Sequence, residues 1–461
     1  MPRERRSGIR QAPGLGPESS AVPERELTTM PADYPKSLRF WNYLCYGLAG
    51  IPASLSGNTV GLFFAVFTLE VVQITPTQNS ILTTTSKVIS SASAFFVGFL
   101  INTTNTRWGK VKPWLFVTAI LGAACNFFQW FSPGVESSTG KLIWYLVFYG
   151  GFNVLLTGYG NARDTLVMYA SNEPRERDTL NAYMSAFQIV GVILSALIQQ
   201  GTFALFHADL GYNPCSNGTH NSTNHGPSRD TETKQINTAL MLQYTFGMSG
   251  QVFYVLFVYM AAAVVAIFLW NLALRRIGRK KVICLGILLC LLPHNAALLI
   301  ATEDLLGTAL RPFIYASSVL GGAGEGCMYI SLSVMHTDVI DDFELKTYRK
   351  MAPVLYSLWL FSRGVMDAIS AAASNGILQA ANYNAHNCVQ PNTVKQALRY
   401  VTAGTPPAVY VIALLFIWLY PITEESRTKT KMALDARRAA ADEEERDVLT
   451  STDDASVQEI V

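Results

Sequence analysis

The feature that most constrains this chain is the recurrence of long apolar runs. A helix crossing the hydrocarbon core of a bilayer needs about 20 mostly apolar residues, because backbone polar groups there must be paired within the helix. Ten stretches meet that demand, at about 40–70, 78–102, 113–132, 142–170, 180–206, 248–273, 282–301, 309–335, 353–380 and 399–421. Of the 461 residues, 50% are hydrophobic and only 15% charged, where a soluble domain has about 25% charged. The expected fold class is an all-α membrane protein. Five spans form a bundle at 40–206 and five more a bundle at 237–421, with an outer loop at 207–236, a disordered cytoplasmic tail at 1–39 and a second cytoplasmic tail at 422–461. Pro52 with Gly47, Gly50 and Gly57 predicts a bent or broken first span.

Basic residues set the orientation, since Lys and Arg accumulate in cytoplasmic loops. With the N-terminus inside, 26 of the 35 Lys and Arg fall on the cytoplasmic side, six fall outside and three within spans. Both termini are therefore expected in the cytoplasm. Residues 1–39 contain no apolar run, so no cleavable signal peptide is expected. The outer loop carries two glycosylation sequons, at Asn217 and Asn221, which fits a lumenal or extracellular placement. Cys215 and Cys388 lie on that same oxidising side. They form a candidate disulfide, with two free thiols as the alternative. The acidic run Asp442-Glu443-Glu444-Glu445 marks a solvated end.

Several functional classes are excluded. A net charge of +2 gives no basic field for nucleic acid. There is no G-x-S-x-G, H-E-x-x-H or P-loop motif, so no enzyme is expected. Seven cysteines without a C-x-x-C pair, and six histidines, show no metal-ligand spacing, so neither metal nor cofactor is expected. His207, His220, His225 and His386 fall in or near outer loops, whereas His294 and His336 lie in or at the end of spans, each expected to be capped by a carbonyl.

Ionisable residues inside spans are costly and are candidates for function. They are Glu70, Lys87, Arg163, Asp164, Glu325, Arg363 and Asp367. Glu70, at the outer end of span one, reads equally well as an interfacial acid. Arg163 and Asp164 form either a local ion pair or a functional one. Glu325 sits within Gly321-Gly322-Ala323-Gly324-Glu325-Gly326 with no charged neighbour in sequence. It reads as a cation or proton site, or as a structural hydrogen bond to a partner helix. Arg363 and Asp367 share one helix face at i,i+4 spacing. An ion pair is one reading, and a phosphate facing the Arg363 fork is the other. Asp338, Asp341 and Asp342 end span eight on the cytoplasmic side, where they are expected to make gate salt bridges between helix ends.

The loop Arg107-Trp108-Gly109-Lys110-Val111-Lys112 matches Arg276-Ile277-Gly278-Arg279-Lys280-Lys281, and internal repeats are a mark of secondary transporters. Asp338-Val339-Ile340-Asp341-Asp342-Phe343, Arg175-Glu176-Arg177-Asp178 with Ala182-Tyr183, and Tyr420-Pro421-Ile422-Thr423-Glu424-Glu425 resemble the sodium-dependent lysophosphatidylcholine symporters. These belong to the major facilitator superfamily, near the glycoside–pentoside–hexuronide cation symporters.

The resemblance, over about 40–440, implies a major facilitator-type bundle. It also implies that family helix six, the central linker and most of helix seven are missing between Gln235 and Tyr244, leaving about ten spans instead of twelve. The implied function is cation-coupled symport of lysophospholipids, first of all lysophosphatidylcholine. The alternatives are a sodium-independent carrier of another lysolipid or of a sugar-like solute, and a truncated form that binds lipid or partners without transporting. The implied partners are a lysophospholipid substrate and membrane lipids. A monomer in the plasma membrane is expected, with the endoplasmic reticulum as the alternative site. By the same resemblance the family's sodium-site acids correspond to Ser90 and Ala94, and Lys87 matches a family lysine. Sodium as coupling ion is thus set against a missing carboxylate.

Overall fold

A computed structural model describes residues 38–74, 76–134, 137–205, 241–248, 251–381, 391–437 and 439–440. The sequons at Asn217 and Asn221, Cys215, Cys388 and the acidic run at 442–445 lie outside the described residues.

Every described element is helical, and helix occupies all ten predicted stretches. The first stretch is broken as the sequence predicts: α1 (Phe40–Leu48) stops at Ala49, and α2 (Gly50–Val66) runs on into a wide π turn at Phe67–Val71. Pro52 falls in the first turn of α2, where the N–H it lacks would have no helical partner. Then come α3 (Pro76–Thr103), α4 (Lys112–Phe128), α5 (Ser138–Ala170) and α6 (Pro174–Leu205). The Ser137 oxygen caps α5 by accepting the Gly140 N–H at 3.5 Å.

After α7 (Val252–Ile277), the chain turns at Gly278, φ +86°, into α8 (Arg279–Gly286). A left-handed backbone there suits glycine. A π turn at Ile287–Leu291 joins α8 to α9 (Leu292–Ile300), just ahead of Pro293. Next are α10 (Leu310–Thr347), α11 (Ala352–Ala380) and α12 (Asn392–Arg399). Another π turn, Tyr400–Gly404, precedes α13 (Thr405–Leu419) with its Pro406 and Pro407. Both turns share one cause. A proline ring crowds the carbonyl one turn earlier, and widening the helix there relieves it. A last helix, α14, covers 424–437.

Among the described residues, six helical stretches are long and apolar enough to cross a membrane: Ile81–Thr103, Ser138–Ala170, Pro174–Gln199, Val252–Ile277, Arg279–Ile300 and Asn392–Leu419. α10 is longer than any of them but carries Glu325 and the three aspartates at its end.

The helices pair in a pseudo-symmetric pattern. α5 lies against α3 and α4, as α10 lies against α7, α8 and α9. α11 packs on α3 and α5, as α6 packs on α7 and α10. Matching the two R-x-G loops aligns α3 with α7, and the rest follows in order. The match breaks at one place. α1 and α2 cover α6, but among the described residues no helix holds the equivalent place on α11, and its residues 365–370 are exposed.

Small residues permit the tight crossings. A Cβ on Gly98 of α3 would fall on Ser357 of α11, and one on Gly322 of α10 would fall on the Tyr259 carbonyl of α7. Where α6 meets α7 and α10, Ala182, Ala186 and Ile189 bury against Ala263, Ile267 and Ile330. In the first half Phe64 stacks on Tyr149 at 4.0 Å between ring centroids, within a core that includes Leu82 and Tyr145.

Candidate functional site

Charged residues converge at the end of the bundle that carries the two basic R-x-G loops. α6 begins there and supplies Arg177 and Asp178, α8 begins there and supplies Arg279, and α10 ends there with Asp338 and Asp341. Arg177 grips Asp341 in fork-to-fork fashion, with Nη1 to Oδ1 at 2.8 Å and Nη2 to Oδ2 at 2.5 Å. Arg279 donates to Asp178 Oδ1 at 2.7 Å, pairs with Asp338, and donates to the Val334 carbonyl at 2.8 Å. The side chains of Arg177, Arg279, Asp178 and Asp338 are only 5–6% exposed.

Breaking such pairs is expensive, because a charge left alone in this setting is neither hydrated nor compensated. The pairs also join the halves: Arg177 and Asp178 belong to the first, Arg279, Asp338 and Asp341 to the second. They hold the two bundles together at this end. Around them, Glu424 accepts the Arg279 backbone N–H at 2.9 Å, and Arg427 approaches Asp338 at 3.3 Å and Asp178 at 3.6 Å. Asp342 takes a different course. It pairs with Lys346 four residues on, at 2.7 Å on the surface, and is not part of the junction.

The other ionisable candidates are dispersed. Arg163 bonds Asp164 at 2.8 Å, and the Gln188 amide oxygen, turned toward it, accepts at 2.7 and 3.2 Å. The Arg163 carbonyl accepts from the Tyr46 hydroxyl at 3.1 Å, so Arg163 ties α5 to α6 and α1. Glu325 is half-buried on α10 and lies within reach of a side-chain hydrogen bond to Tyr259 of α7, with Tyr410 of α13 nearby. It has no cationic partner among the described residues. Its glycine neighbours explain the location, since Gly322 and Gly326 bring α7 against α10, while Gly321 meets His294 of α9 and Gly324 meets Cys290 and Leu291 of the π turn before it. Arg363 and Asp367 lie 3.9 Å apart and are 60% and 75% exposed, on the uncovered part of α11. Lys87 is exposed on α3, and nothing is described of the Glu70 side chain.

At the place of the expected sodium site, Ser90 shares a 2.7 Å hydrogen bond with Thr157 and donates to the Asn153 carbonyl at 3.2 Å, and Ala94 is fully buried. These groups supply hydroxyl and carbonyl oxygens but no carboxylate. Among the described residues no cluster of three or more His, Cys, Asp or Glu has a metal-binding arrangement.

Sequence alone does not mark Arg177, Asp178, Arg279 and Arg427 as site residues, although Arg177 and Asp178 belong to the Arg175–Asp178 motif that carries the resemblance. One signal was present for Arg279: it occupies the repeated R-x-G-[KR] loop, whose basic residues the positive-inside rule already explains.

Two pseudo-symmetric helical bundles joined at one end by buried ion pairs are the architecture of a secondary transporter. The chain belongs to the MFS/sugar transport protein family, whose model matches residues 45–227 and 232–424. It is similar to the sodium-dependent lysophosphatidylcholine symporter 1-A of Danio rerio, at 24% identity over 534 aligned positions covering 95% of this chain and 97% of that protein. It is 26% identical to sodium-dependent lysophosphatidylcholine symporter 1 of Mus musculus, covering 88% of this chain and 90% of that one. It is 24% identical to a sphingosine-1-phosphate transporter of Xenopus tropicalis, with 86% and 90% covered.

Proposed function

We propose that this protein is a cation-coupled symporter of lysophospholipids, with lysophosphatidylcholine as its first substrate. The observation that carries the reading is similarity along nearly the whole chain to proteins named for two single-chain phospholipids. Such a substrate needs a fixed cation for its phosphate and an apolar surface for its chain. Arg363 offers the first, with a guanidinium fork suited to phosphate. The seam of α3 and α11 offers the second, where Phe95 and Phe361 meet edge to face at 6.1 Å. Glu325 and Asp367 are the acids proposed for the coupling cation, and Asp338 and Asp341 the acids of the cytoplasmic gate. Both termini are placed in the cytoplasm of a plasma-membrane monomer, with sugars on Asn217 and Asn221 and a disulfide from Cys215 to Cys388.

A second reading is sodium-independent carriage of another lysolipid, favoured by the lack of a carboxylate at Ser90 and Ala94. The shortened form has support of its own. The alignment to the Danio rerio relative runs over 534 positions against a chain of 461 residues, so that relative carries residues with no counterpart here.

Photo-crosslinking in native membranes tests the substrate class. A photoactivatable lysophosphatidylcholine is expected to label the chain, and unlabelled lysophosphatidylcholine to compete the label away while a hexose does not. Labelling unaffected by lysolipid removes the proposal.

A further inference from the structure

We infer that Arg427, carried on α14, is a gate residue of the transport cycle. It supplies the second positive charge shared by Asp178 and Asp338, so that docking of α14 locks the two halves at this end.

The charge count gives the reason. Both terminal nitrogens of Arg177 are engaged by Asp341. Asp178 from the first half and Asp338 from the second are then left with Arg279 alone between them. One guanidinium cannot neutralise two buried carboxylates, and an uncompensated charge in that position opposes closure. Among the described residues the only other cation paired with either is Arg427, and it pairs with both.

α14 is built to deliver it. Residues 424, 427, 431 and 434 recur at spacings of three and four, which places them on one helix face. Glu424 meets the α7–α8 corner at Gly278, where it accepts from Arg279. Lys431 bonds both oxygens of Glu173 at 2.7 and 2.8 Å, and Leu434 is 4% exposed. Farther along, the Arg437 guanidinium lies 4.6 Å from the Tyr348 ring. The outward face carries Lys429 and Met432, 69% and 59% exposed.

The helix has a definite allegiance. It follows α13 through Tyr420, whose carbonyl accepts from Lys280 and whose hydroxyl donates to the Met335 carbonyl at 3.3 Å. α14 therefore travels with the second half. Opening this end breaks Arg427 from Asp178 and Lys431 from Glu173, and leaves Arg427 on Asp338.

The test is the distance between the halves, read by pulsed electron resonance on the full-length protein in nanodiscs. Spin labels replace Arg175 and Lys346, both exposed and one on each half. The unmodified lock is expected to give mainly the short distance. Arg427→Gln raises the long-distance fraction at least fivefold, whereas Lys429→Gln on the outer face leaves it unchanged. Lys431→Glu also opens the end, and adding Glu173→Lys closes it again. An unchanged distribution in Arg427→Gln, an equal shift in Lys429→Gln, or no restoration by the exchanged pair overturns the inference. If Arg427→Gln does not reach the membrane, the exchanged pair decides alone. The readout is independent of which lipid is carried, so it stands or falls apart from the proposed substrate.

Discussion

Arg177 and Asp341 show how much of this site a single residue controls. Each makes two parallel charge-assisted bonds in a place with almost no water, so losing one partner strands the other. Arg177→Gln is expected to destabilise the protein by about 3–5 kcal/mol. Replacing both, as Arg177→Met with Asp341→Leu, is expected to lose far less, and thermal unfolding of the purified variants compares the two. Glu325 predicts the opposite pattern. Glutamine keeps its shape and an oxygen that can accept from the nearby Tyr259 hydroxyl, so Glu325→Gln is expected to fold and reach the surface normally while losing cation dependence. Uptake per surface molecule, with and without the cation, checks it; unchanged dependence removes Glu325 from the mechanism. At this scale the sequence was half legible. The run of aspartates after span eight is visible to anyone reading along the chain. Their partners are not, because Arg177 lies 164 residues from Asp341 and only packing brings them together.

Helices were legible where apolar runs of span length announce them, and the break near Pro52 was legible from proline and glycine. The π turns were not, since one extra residue per turn hardly alters an already apolar pattern. α14 was the larger omission. Its inward face is mostly charged, so hydrophobic periodicity carries no sign of docking. At this scale the tight crossing of α10 on α7 yields a paired prediction. Gly322→Ala sets a methyl against a main-chain carbonyl that cannot move aside, and is expected to lower stability by about 1–3 kcal/mol. Gly376→Ala on α11 meets nothing within 4 Å and is expected to be neutral or to stabilise by about 0.4–1 kcal/mol. Unfolding midpoints of the two variants decide. α14 also carries a pH prediction. Burial tends to raise the Glu424 carboxyl, but the Arg279 N–H and the Arg427 guanidinium outweigh it and hold the group below its ordinary 4.5. A depressed carboxyl stabilises the docked helix above 4.5, and that contribution is lost as pH falls through the lower docked value. Mobility of a spin label at the outward Met432 is expected to rise in that acid window and to stay constant from pH 6 to 8.

In the whole molecule, the pseudo-twofold pattern of helix contacts matches the repeated basic loops and explains why the halves meet through α3 with α11 and α6 with α7. The same pattern identifies what is uneven, a face of α11 whose counterpart on α6 is covered by α1 and α2. Arg363, the candidate headgroup residue, and Asp367 lie on that face. Family and fold were legible from motifs, whereas the coupling ion was not, because Ser90 and Ala94 offer no carboxylate to declare it. Lysophospholipid transport is tested most directly by uptake of labelled lysophosphatidylcholine by cells expressing this chain, in sodium and in sodium-free medium, per molecule at the surface. Saturable, cation-dependent uptake that is lost in Glu325→Gln is the predicted result. Uptake no greater than in cells without the protein, despite full surface delivery, would contradict the account.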